Sequence, residues 1–395
     1  MKFLSNDVIV MGGGHVGFAV AAFLSSQGVN VHLFSRRLLP ITKTLTIKAI
    51  GQVLCGNYQI ASFSAQMQAI ATQLGQLPPT VIICCRGNDL VEYARIISRY
   101  VYSEMNIVLF CGSRLDDWVF RQQLLSSGVL ESQMPAVAST TTSPFCCCLQ
   151  SDNTVEIKAK KGQVCIRAQT PTMTERIFNA LQPWFSNLQI AGSSLEVALE
   201  KQNDITHIPL MITSARTLEK GESHLFYHEV GFRTVGLIVA LDNERLKIGQ
   251  AYGLKLRDWV SWHQAEYHTS GLSIYENLQQ TSAYQRSFMD TLDDRYLTED
   301  VPYGAVPLQI LAQIAGVKTP VLDGCIALAS QLIDMPVPVL TAELLGITGL
   351  NPTQVSVLLS SSWVKQPLYL PLPSLLSHLD KPACPSDQEI ENVEV

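Results

Sequence analysis

The stretch that decides the fold is an apolar strand running directly into a glycine-rich turn: Asp7-Val8-Ile9-Val10-Met11-Gly12-Gly13-Gly14-His15-Val16-Gly17. In this pattern one glycine permits a tight bend, one lets the backbone approach a diphosphate, and one lets a helix pack closely on the strand. A helix over residues 16–27 and a second strand over residues 29–34 are predicted to follow. This order predicts a dinucleotide-binding site, although the glycines also fit a tight turn in another α/β protein. The predicted cofactor-binding residues of the turn are Gly12, Gly14, His15, Val16 and Gly17.

The end of the second predicted strand indicates which dinucleotide binds. Sites that prefer NAD usually place an acid there, on the ribose 2′-hydroxyl. This chain has Ser35, Arg36 and Arg37 instead, with Lys43 nearby and no acid among them. Because a guanidinium offers a planar fork of donors to phosphate oxygens, we expect NADP(H) to be preferred over NAD(H). A solvated basic loop is the alternative.

A later loop is a second candidate part of the cofactor site. Cys85 ends a strand predicted over residues 81–85 and Arg86 follows it, so both lie where a parallel sheet presents its ligand. We expect them to line the cofactor, and ordinary packing is the alternative.

Composition bounds the class of protein. The chain has 395 residues, 47% of them hydrophobic, and a formal net charge of −6. With no long basic run, nucleic acid is not expected as a partner. No apolar run is long enough to span a membrane, and no secretory signal is recognised. The ten cysteines form no C-x-x-C pair, which predicts reduced thiols in a cytoplasmic protein and no metal site.

The pattern of elements predicts two domains. Strands and helices alternate over residues 1–190, which indicates an NADP-binding Rossmann-like domain with a parallel sheet covered on both faces. Residues 155–168 alternate apolar and polar side chains around Lys160-Lys161-Gly162, which predicts an antiparallel hairpin that closes the sheet. Helical periodicity dominates afterwards, so residues 191–385 are predicted to form a mostly α-helical substrate domain. Residues 386–395 are expected to be a disordered acidic tail. The fold class is therefore α/β Rossmann-type at the N-terminus and mostly helical at the C-terminus.

Two stretches of the second half carry residues suited to catalysis. His207 lies two positions before Pro209, which is expected to disturb the helix near Ile205. Residues 293–304 crowd acids and one arginine against a predicted turn at Pro302-Tyr303-Gly304. A histidine in a helix is often only a packed residue, and charges in a turn are often only solvated.

Together with the cofactor turn, these stretches resemble the opine dehydrogenase family, which includes octopine and nopaline dehydrogenases. The likeness extends from about Asn6 to Met335. It includes the His207-x-Pro209 segment, Phe226-Tyr227 with residues 241–245, and residues 295–302. Members of that family condense an α-keto acid with the amino group of an amino acid and reduce the resulting imine with NAD(P)H. The resemblance implies pyruvate or 2-oxoglutarate as the keto acid, and it leaves a metallophore pathway and a homodimer open.

The resemblance also implies roles for individual residues. His207 would be the catalytic acid and base, Asp300 its carboxylate partner, and Arg295 the group that binds a substrate carboxylate. A carboxylate beside the imidazole is expected to favour its protonated form. Thr142 and Cys147 match positions near the amino-acid substrate. The candidate walls of the amine pocket are Tyr227, His228, Trp259, Trp262 and His263, and the alternative is that these rings belong to the core. The chain departs from the family pattern here, because Ala138-Ser139 replaces the usual acid and Cys148 stands where arginine is common.

Two other functions stay open at this point. A 2-hydroxy-acid or ketopantoate-type reductase has the same combination of domains and would reduce a keto acid without an amine. A non-catalytic NADP(H)-sensing protein would bind the cofactor without turnover and without depending on His207.

Overall fold

The computed structural model describes residues 6–36, 45–333 and 340–360. Its strands are β1 (Asp7–Met11), β2 (Asn30–Phe34), β3 (Leu45–Ile50), β4 (Gly56–Ile60), β5 (Ser62–Ser64), β6 (Thr80–Ile83), β7 (Asn106–Leu109), β8 (Ala136–Thr140), β9 (Phe145–Ser151), β10 (Thr154–Lys160), β11 (Val164–Ala168), β12 (Leu188–Ile190), β13 (His224–Leu225) and β14 (Phe288–Met289). Its helices are α1 (His15–Ser26), α2 (Met67–Leu74), α3 (Leu90–Ile97), α4 (Asp116–Ser126), α5 (Pro171–Leu181), α6 (Ser194–Glu200), α7 (Asn203–Glu219), α8 (Phe232–Ala251), α9 (Trp259–Tyr267), α10 (Ile274–Gln280), α11 (Arg295–Thr298), α12 (Val306–Ile314), α13 (Pro320–Leu332) and α14 (Pro352–Leu359).

Eight strands form one twisted sheet in the order β12-β11-β8-β7-β6-β1-β2-β5. Strand β1 pairs in parallel with β2 on one side and with β6 on the other. The chain therefore leaves β1 in one direction and later returns to its opposite side, which creates a topological switch point at the carboxyl end of β1. The glycine turn lies at this point, so the Rossmann-type prediction is confirmed.

The continuous apolar character of β1 comes from burial on both faces. Val8 and Val10 pack with Phe18 of α1, whereas Ile9 and Met11 pack with Tyr93 of α3 on the other face. All four strand side chains are fully buried. Helices on both faces are the condition under which a parallel strand loses its alternation of apolar and polar residues.

The predicted hairpin around Lys160-Lys161-Gly162 is wrong. Strand β10 pairs with β9 and β3 in a separate four-stranded sheet, whereas β11 pairs antiparallel with β8 in the large sheet. Alternating side chains satisfy either arrangement, because each strand buries only one face. The chain uses residues 161–163 to cross from one sheet to the other. A side chain at Gly162 would meet the carbonyl oxygen of Ala265 and the ring of His268, so this crossing fits closely against the second domain.

From Ser194 onwards the described residues are mostly helical, as predicted. Helix α7 differs in one respect, because it continues through Pro209 instead of being interrupted near Ile205. The hydroxyl of Thr213 donates to the Pro209 carbonyl at 2.8 Å, and the first half of the helix is buried. Tertiary packing therefore outweighs the local cost of the proline. None of the helices in the described ranges has the length and apolar character needed to cross a membrane.

The predicted turn at Pro302-Tyr303-Gly304 is also wrong, because residues Val301–Ala305 form one π-helical turn that leads into α12. Single π turns inside helices are frequent at functional sites. Gly304 permits the close approach of α7, since a side chain there would meet the Asp204 side chain at 2.8 Å. This contact brings the segment after α11 against the helix that carries His207.

Candidate active site

The glycine turn forms a cradle suited to a dinucleotide. Gly12 has φ +132°, and a side chain there would collide with the Cys84 carbonyl oxygen. A side chain at Gly17 would collide with the carbonyl oxygen of Gly12, whereas Gly14 faces open space. Helix α1 begins at His15 with no side-chain cap, so its first N–H groups are available to a phosphate. The backbone therefore has the shape and the donors that the diphosphate of NAD(P) requires.

The residues at the end of β2 that are predicted to select NADP(H) over NAD(H) already contact other groups of the protein. Ser35 is buried against the turn, because a side chain on Gly13 would collide with its hydroxyl. Arg36 forms an ion pair with Asp89 and lies 5.1 Å from the centre of the Tyr93 ring. The short helical turn after β6 thus places an acid, Asp89, beside the end of β2. The residues at the end of β2 themselves include no acid, but the expectation that none is available there is wrong. Arg37 and Lys43 lie outside the described residues.

His15 connects the cofactor turn with the second domain. Burial, followed by the positive charges of Arg295 and Arg86, lowers the pKa of His15, and the backbone of Cys147 opposes this through a hydrogen bond. Charges from the loop after β6 and from α11 therefore act on the first residue of α1. Arg86 is exposed and Cys85 is half-buried, with its sulfur 3.8 Å from that of Cys111.

His207 and Asp300 are joined although 93 positions separate them in the chain. Nδ1 of His207 lies 2.6 Å from Oδ2 of Asp300, and Nε2 lies 2.9 Å from the Tyr227 hydroxyl. Both members of the pair are buried, with relative exposures of 6% and 3%. The network assigns the proton of the neutral ring to Nδ1, which donates to Asp300, and lets Nε2 accept from Tyr227. The nitrogen at Nε2 is therefore available for proton exchange.

The electrostatics of this pair differ from the sequence-based expectation. Burial and the positive charge of Arg295 lower the pKa of His207 well below its usual value. Burial raises the pKa of Asp300, and Arg295 opposes that effect. Both pKa shifts favour the neutral imidazole, whereas the carboxylate by itself was expected to favour the protonated form.

Arg295 is a cation available to a ligand. Its guanidinium carbon lies 4.7 Å from the centre of the Tyr296 ring, and no carboxylate of the described residues lies within 4.0 Å of its nitrogens. Burial by itself lowers the pKa of Arg295, but Tyr296 and three surrounding carboxyl groups outweigh it and raise that pKa. A permanently charged, sheltered and unpaired guanidinium beside a histidine is suited to bind a carboxylate with two hydrogen bonds.

Aromatic rings complete the site, and the sequence analysis missed most of them. The Tyr296 ring lies 3.9 Å from the His207 ring, and the Phe226 ring stacks on that of Tyr296 at 4.9 Å. Tyr227 stacks on Tyr284 at 3.9 Å with an interplanar angle of 15°. Of these four rings, Tyr227 is the one that the sequence analysis names as a candidate wall of the amine pocket. The spacing of the others along the chain resembles that of core residues, so no local signal distinguishes them.

The predicted amine-side residues Thr142 and Cys147 lie on the segment that joins β8 to β9. Thr142 is half-buried in the loop, and no hydrogen bond of the described residues joins it to His207, Asp300 or Arg295. Cys147 lies on β9, with its backbone at His15. Burial raises the pKa of its thiol, so this cysteine is an apolar wall and not a nucleophile. Within the described ranges, no group of His, Cys, Asp and Glu side chains has the arrangement of a metal site.

Buried ion pairs attach α7, the helix that carries His207, to the Rossmann-type sheet. Arg114, after β7, donates to both carboxylate oxygens of Asp204 at 3.0 and 2.7 Å. Lys201 donates to Asp116 at 2.7 Å, and the Gly87 backbone donates to Glu299 at 2.9 Å. These contacts set the position of α7 and of the segment after α11 relative to the cofactor turn.

Comparison with known proteins agrees with this arrangement. The family model for the alpha-helical domain of NAD/NADP octopine/nopaline dehydrogenases matches residues 190–333. The opine dehydrogenase of Arthrobacter sp. (strain 1C) is 27% identical over 361 residues, which cover 88% of this chain and 97% of that protein.

Solved structures share the fold. Octopine dehydrogenase in complex with NADH and agmatine superposes with a TM-score of 0.68 and 18% identity, over 89% of this chain and 98% of that one. NADP+-bound yersinopine dehydrogenase superposes with a TM-score of 0.65 and 14% identity, over 82% and 90% of the two chains. The chain is therefore similar to an opine dehydrogenase over nearly the full length of that relative, its helical domain matches that of NAD/NADP octopine/nopaline dehydrogenases, and it shares their fold.

Proposed function

We propose that this protein is an NADPH-dependent opine dehydrogenase that condenses a small α-keto acid, pyruvate or 2-oxoglutarate, with the amino group of an amino acid or an amine derived from one. The observation that carries this proposal is the buried His207–Asp300 pair, with its nitrogens 2.6 Å from the carboxylate and 2.9 Å from Tyr227, beside the unpaired Arg295. This arrangement supplies a proton carrier and a carboxylate-binding cation within one site.

Arg295 has two effects in this proposal. It binds the carboxylate of the keto acid and so orients the carbonyl group. The bound carboxylate also offsets the positive charge that lowers the pKa of His207. The imidazole then takes up a proton more readily, and Asp300 stabilises the charged ring. Substrate binding therefore prepares the acid that the reaction needs.

His207 moves the protons of the condensation. The amine nitrogen attacks the carbonyl carbon and loses two protons, while the carbonyl oxygen leaves as water. Nε2 of His207 serves both transfers, and the Tyr227 hydroxyl, 2.9 Å away, can pass the proton on. NAD(P)H held at the glycine turn would supply a hydride to the carbon of the carbon–nitrogen double bond, and the nitrogen takes up one proton by way of His207. The buried rings of Tyr296 and Tyr227 limit the access of water to this bond.

The preference for NADPH is part of the proposal. The turn residues from Gly12 to Gly17 would hold the diphosphate, while Ser35 and Arg36 at the end of β2 would face the 2′-phosphate. The ion pair between Arg36 and Asp89 opposes this preference, because the carboxylate competes with the phosphate for the guanidinium. We expect the dianionic phosphate to win this competition, since it offers more acceptors to the arginine.

A cytoplasmic location is supported by the cysteines. All nine cysteines of the described residues are free thiols, as expected in a reducing compartment. A metallophore as the product is only a prediction from the family resemblance.

The test is a mass-spectrometric screen of the purified protein with NADPH, keto acids and pooled amines. A product whose mass equals keto acid plus amine, less one oxygen atom, supports the proposal. NADPH oxidation with keto acid alone indicates the 2-hydroxy-acid reductase, and binding without turnover indicates the sensor. The His207→Asn variant should lose the product. His32→Asn is the matched control, because His32 lies on β2 and contacts Ser62.

A further inference from the structure

A chain of hydrogen bonds leads away from the His207 ring and continues beyond Tyr227. The Tyr227 hydroxyl lies 2.9 Å from Nε2 of His207 and 3.3 Å from the hydroxyl of Tyr296. At the other end of the chain, Nδ1 of His207 lies 2.6 Å from Oδ2 of Asp300. The four groups come from three stretches that are far apart in the sequence, so only the packing of the helical domain aligns them.

Exposure differs between the two ends of this chain. Asp300, Tyr227 and His207 are 3%, 5% and 6% exposed, whereas Tyr296 is half-buried. The chain therefore has a closed end at the carboxylate and an open end at Tyr296. Among the described residues, the route from the imidazole to the open end leaves through Nε2 and the Tyr227 hydroxyl.

The open end lies beside the cation that is proposed to bind the keto acid. The guanidinium carbon of Arg295 is 4.7 Å from the centre of the Tyr296 ring, and that ring is fixed by stacking on Phe226 with an interplanar angle of 12°. In an α-keto acid the reacting carbon is bonded directly to the carboxylate carbon. A carboxylate held by Arg295 therefore places the reacting carbon–nitrogen bond beside Tyr296.

The proposed reaction consumes one proton in each turnover. Condensation of an amine with a carbonyl group releases water without net use of protons, and reduction of the imine then leaves the nitrogen to take up one proton. Both tyrosines stay neutral at this stage, because burial raises the pKa of Tyr227 and that of Tyr296. A neutral hydroxyl accepts one hydrogen bond while it donates another, so it passes a proton on without becoming a tyrosinate.

We propose that Tyr227 and Tyr296 form a proton relay between His207 and the substrate, and that the Tyr296 hydroxyl exchanges the proton with the reacting nitrogen. The inference rests on the proposed function, because it names the route of that reaction's proton. In the transfer, the O–H bond of Tyr296 breaks as an N–H bond forms on the substrate. The Tyr296 oxygen takes the proton of Tyr227, the Tyr227 oxygen takes that of Nε2, and the imidazolium becomes neutral. Before the next turnover, a proton from water reaches Nε2 along the same route.

The experiment replaces each tyrosine by phenylalanine, which keeps the ring and its stacking but removes the hydroxyl. Single-turnover oxidation of NADPH is followed with pyruvate and a mixture of the standard amino acids. Tyr227→Phe and Tyr296→Phe should each slow it about 100-fold, while the pyruvate concentration that gives half the maximal rate changes less than about threefold. The double variant should be about as slow as the slower single variant, because both hydroxyls serve one route.

Tyr252→Phe is the matched control. It removes a buried hydroxyl that donates to the Leu311 carbonyl at 3.0 Å, away from the chain of hydrogen bonds, and its rate should stay within about twofold of the wild type. Two outcomes overturn the relay. One is a Tyr296→Phe rate within about threefold of the wild type, and the other is a double variant in which the two single losses multiply.

A wild-type protein that oxidises no NADPH with any of these amines contradicts the proposed function, and the relay is then judged without turnover. The measurement is the 15N NMR resonance of Nε2 of His207 in the NADPH-bound protein, assigned with His207→Asn. Tyr227→Phe should shift this resonance because its hydrogen bond is lost, and Tyr296→Phe should shift it less in the same direction, because it acts through the Tyr227 hydroxyl. A resonance that neither variant changes refutes the relay.

Discussion

The buried ion pair that attaches α7 to the sheet should dominate the stability of the domain junction. Arg114 is 0% exposed and Asp204 3% exposed, and the arginine also donates to the carbonyl oxygens of Ala198 and Lys201 at 2.5 and 2.7 Å. Arg114→Met keeps an unbranched apolar stem but leaves the Asp204 carboxylate buried without its cation. Removing one partner of such a pair costs about 3–5 kcal/mol in the free energy of unfolding.

Urea unfolding followed by far-UV circular dichroism measures this loss, and a double-mutant cycle isolates the pair. Arg114→Met/Asp204→Asn should lose less than the sum of the single losses, since no uncompensated charge then stays buried. The exposed pair Lys220–Glu222, at 3.8 Å, is the matched control, and its coupling should be under about 1 kcal/mol. If Arg114→Met costs no more than Lys220→Met, the argument for a stabilising junction is refuted.

Three further predictions address the site. Asp300→Asn cannot stabilise the charged imidazole, so kcat should fall about 100-fold or more while the KM for NADPH stays unchanged; a near-normal kcat contradicts this. Arg36→Ala should weaken NADPH binding more than NADH binding, and Asp89→Asn should strengthen NADPH binding, as measured by fluorescence titration. Equal changes for both cofactors contradict the proposal that Arg36 selects NADPH. Burial raises the pKa of Glu299 to about 7 from 4.5, so its contribution to stability is complete below pH 4.5 and is lost as the pH rises towards 7. The free energy of unfolding of Glu299→Gln, relative to that of the wild type, should therefore rise between pH 5 and pH 8, by up to about 3 kcal/mol. A difference that stays constant across that range contradicts the assignment.

The parts of the fold that the sequence predicts are those encoded over short distances. The apolar run of β1, the glycines from Gly12 to Gly17 and the following helix form a local pattern whose conformation depends on neighbours along the chain. The helical second half of the chain is predicted from its sequence for the same reason, because helical periodicity is a local pattern. The hairpin at residues 160–162 was mispredicted because alternation shows that a strand has one buried face, but not which sheet provides its partner.

The candidate site, too, is predicted in part from the sequence and in part only from the tertiary structure. The sequence alone determines the composition of the cofactor turn, and it supplies His207, Asp300 and Arg295 in stretches that resemble one family. Only the tertiary structure decides that Asp89 reaches Arg36, and that the rings of Tyr296 and Phe226 lie beside the imidazole of His207. It also lowers the pKa of His207, through burial and the neighbouring guanidinium of Arg295. The physical reason is that ion pairing, burial and local charge depend on contacts between segments far apart in the chain. Only the packing of the folded protein brings those segments together.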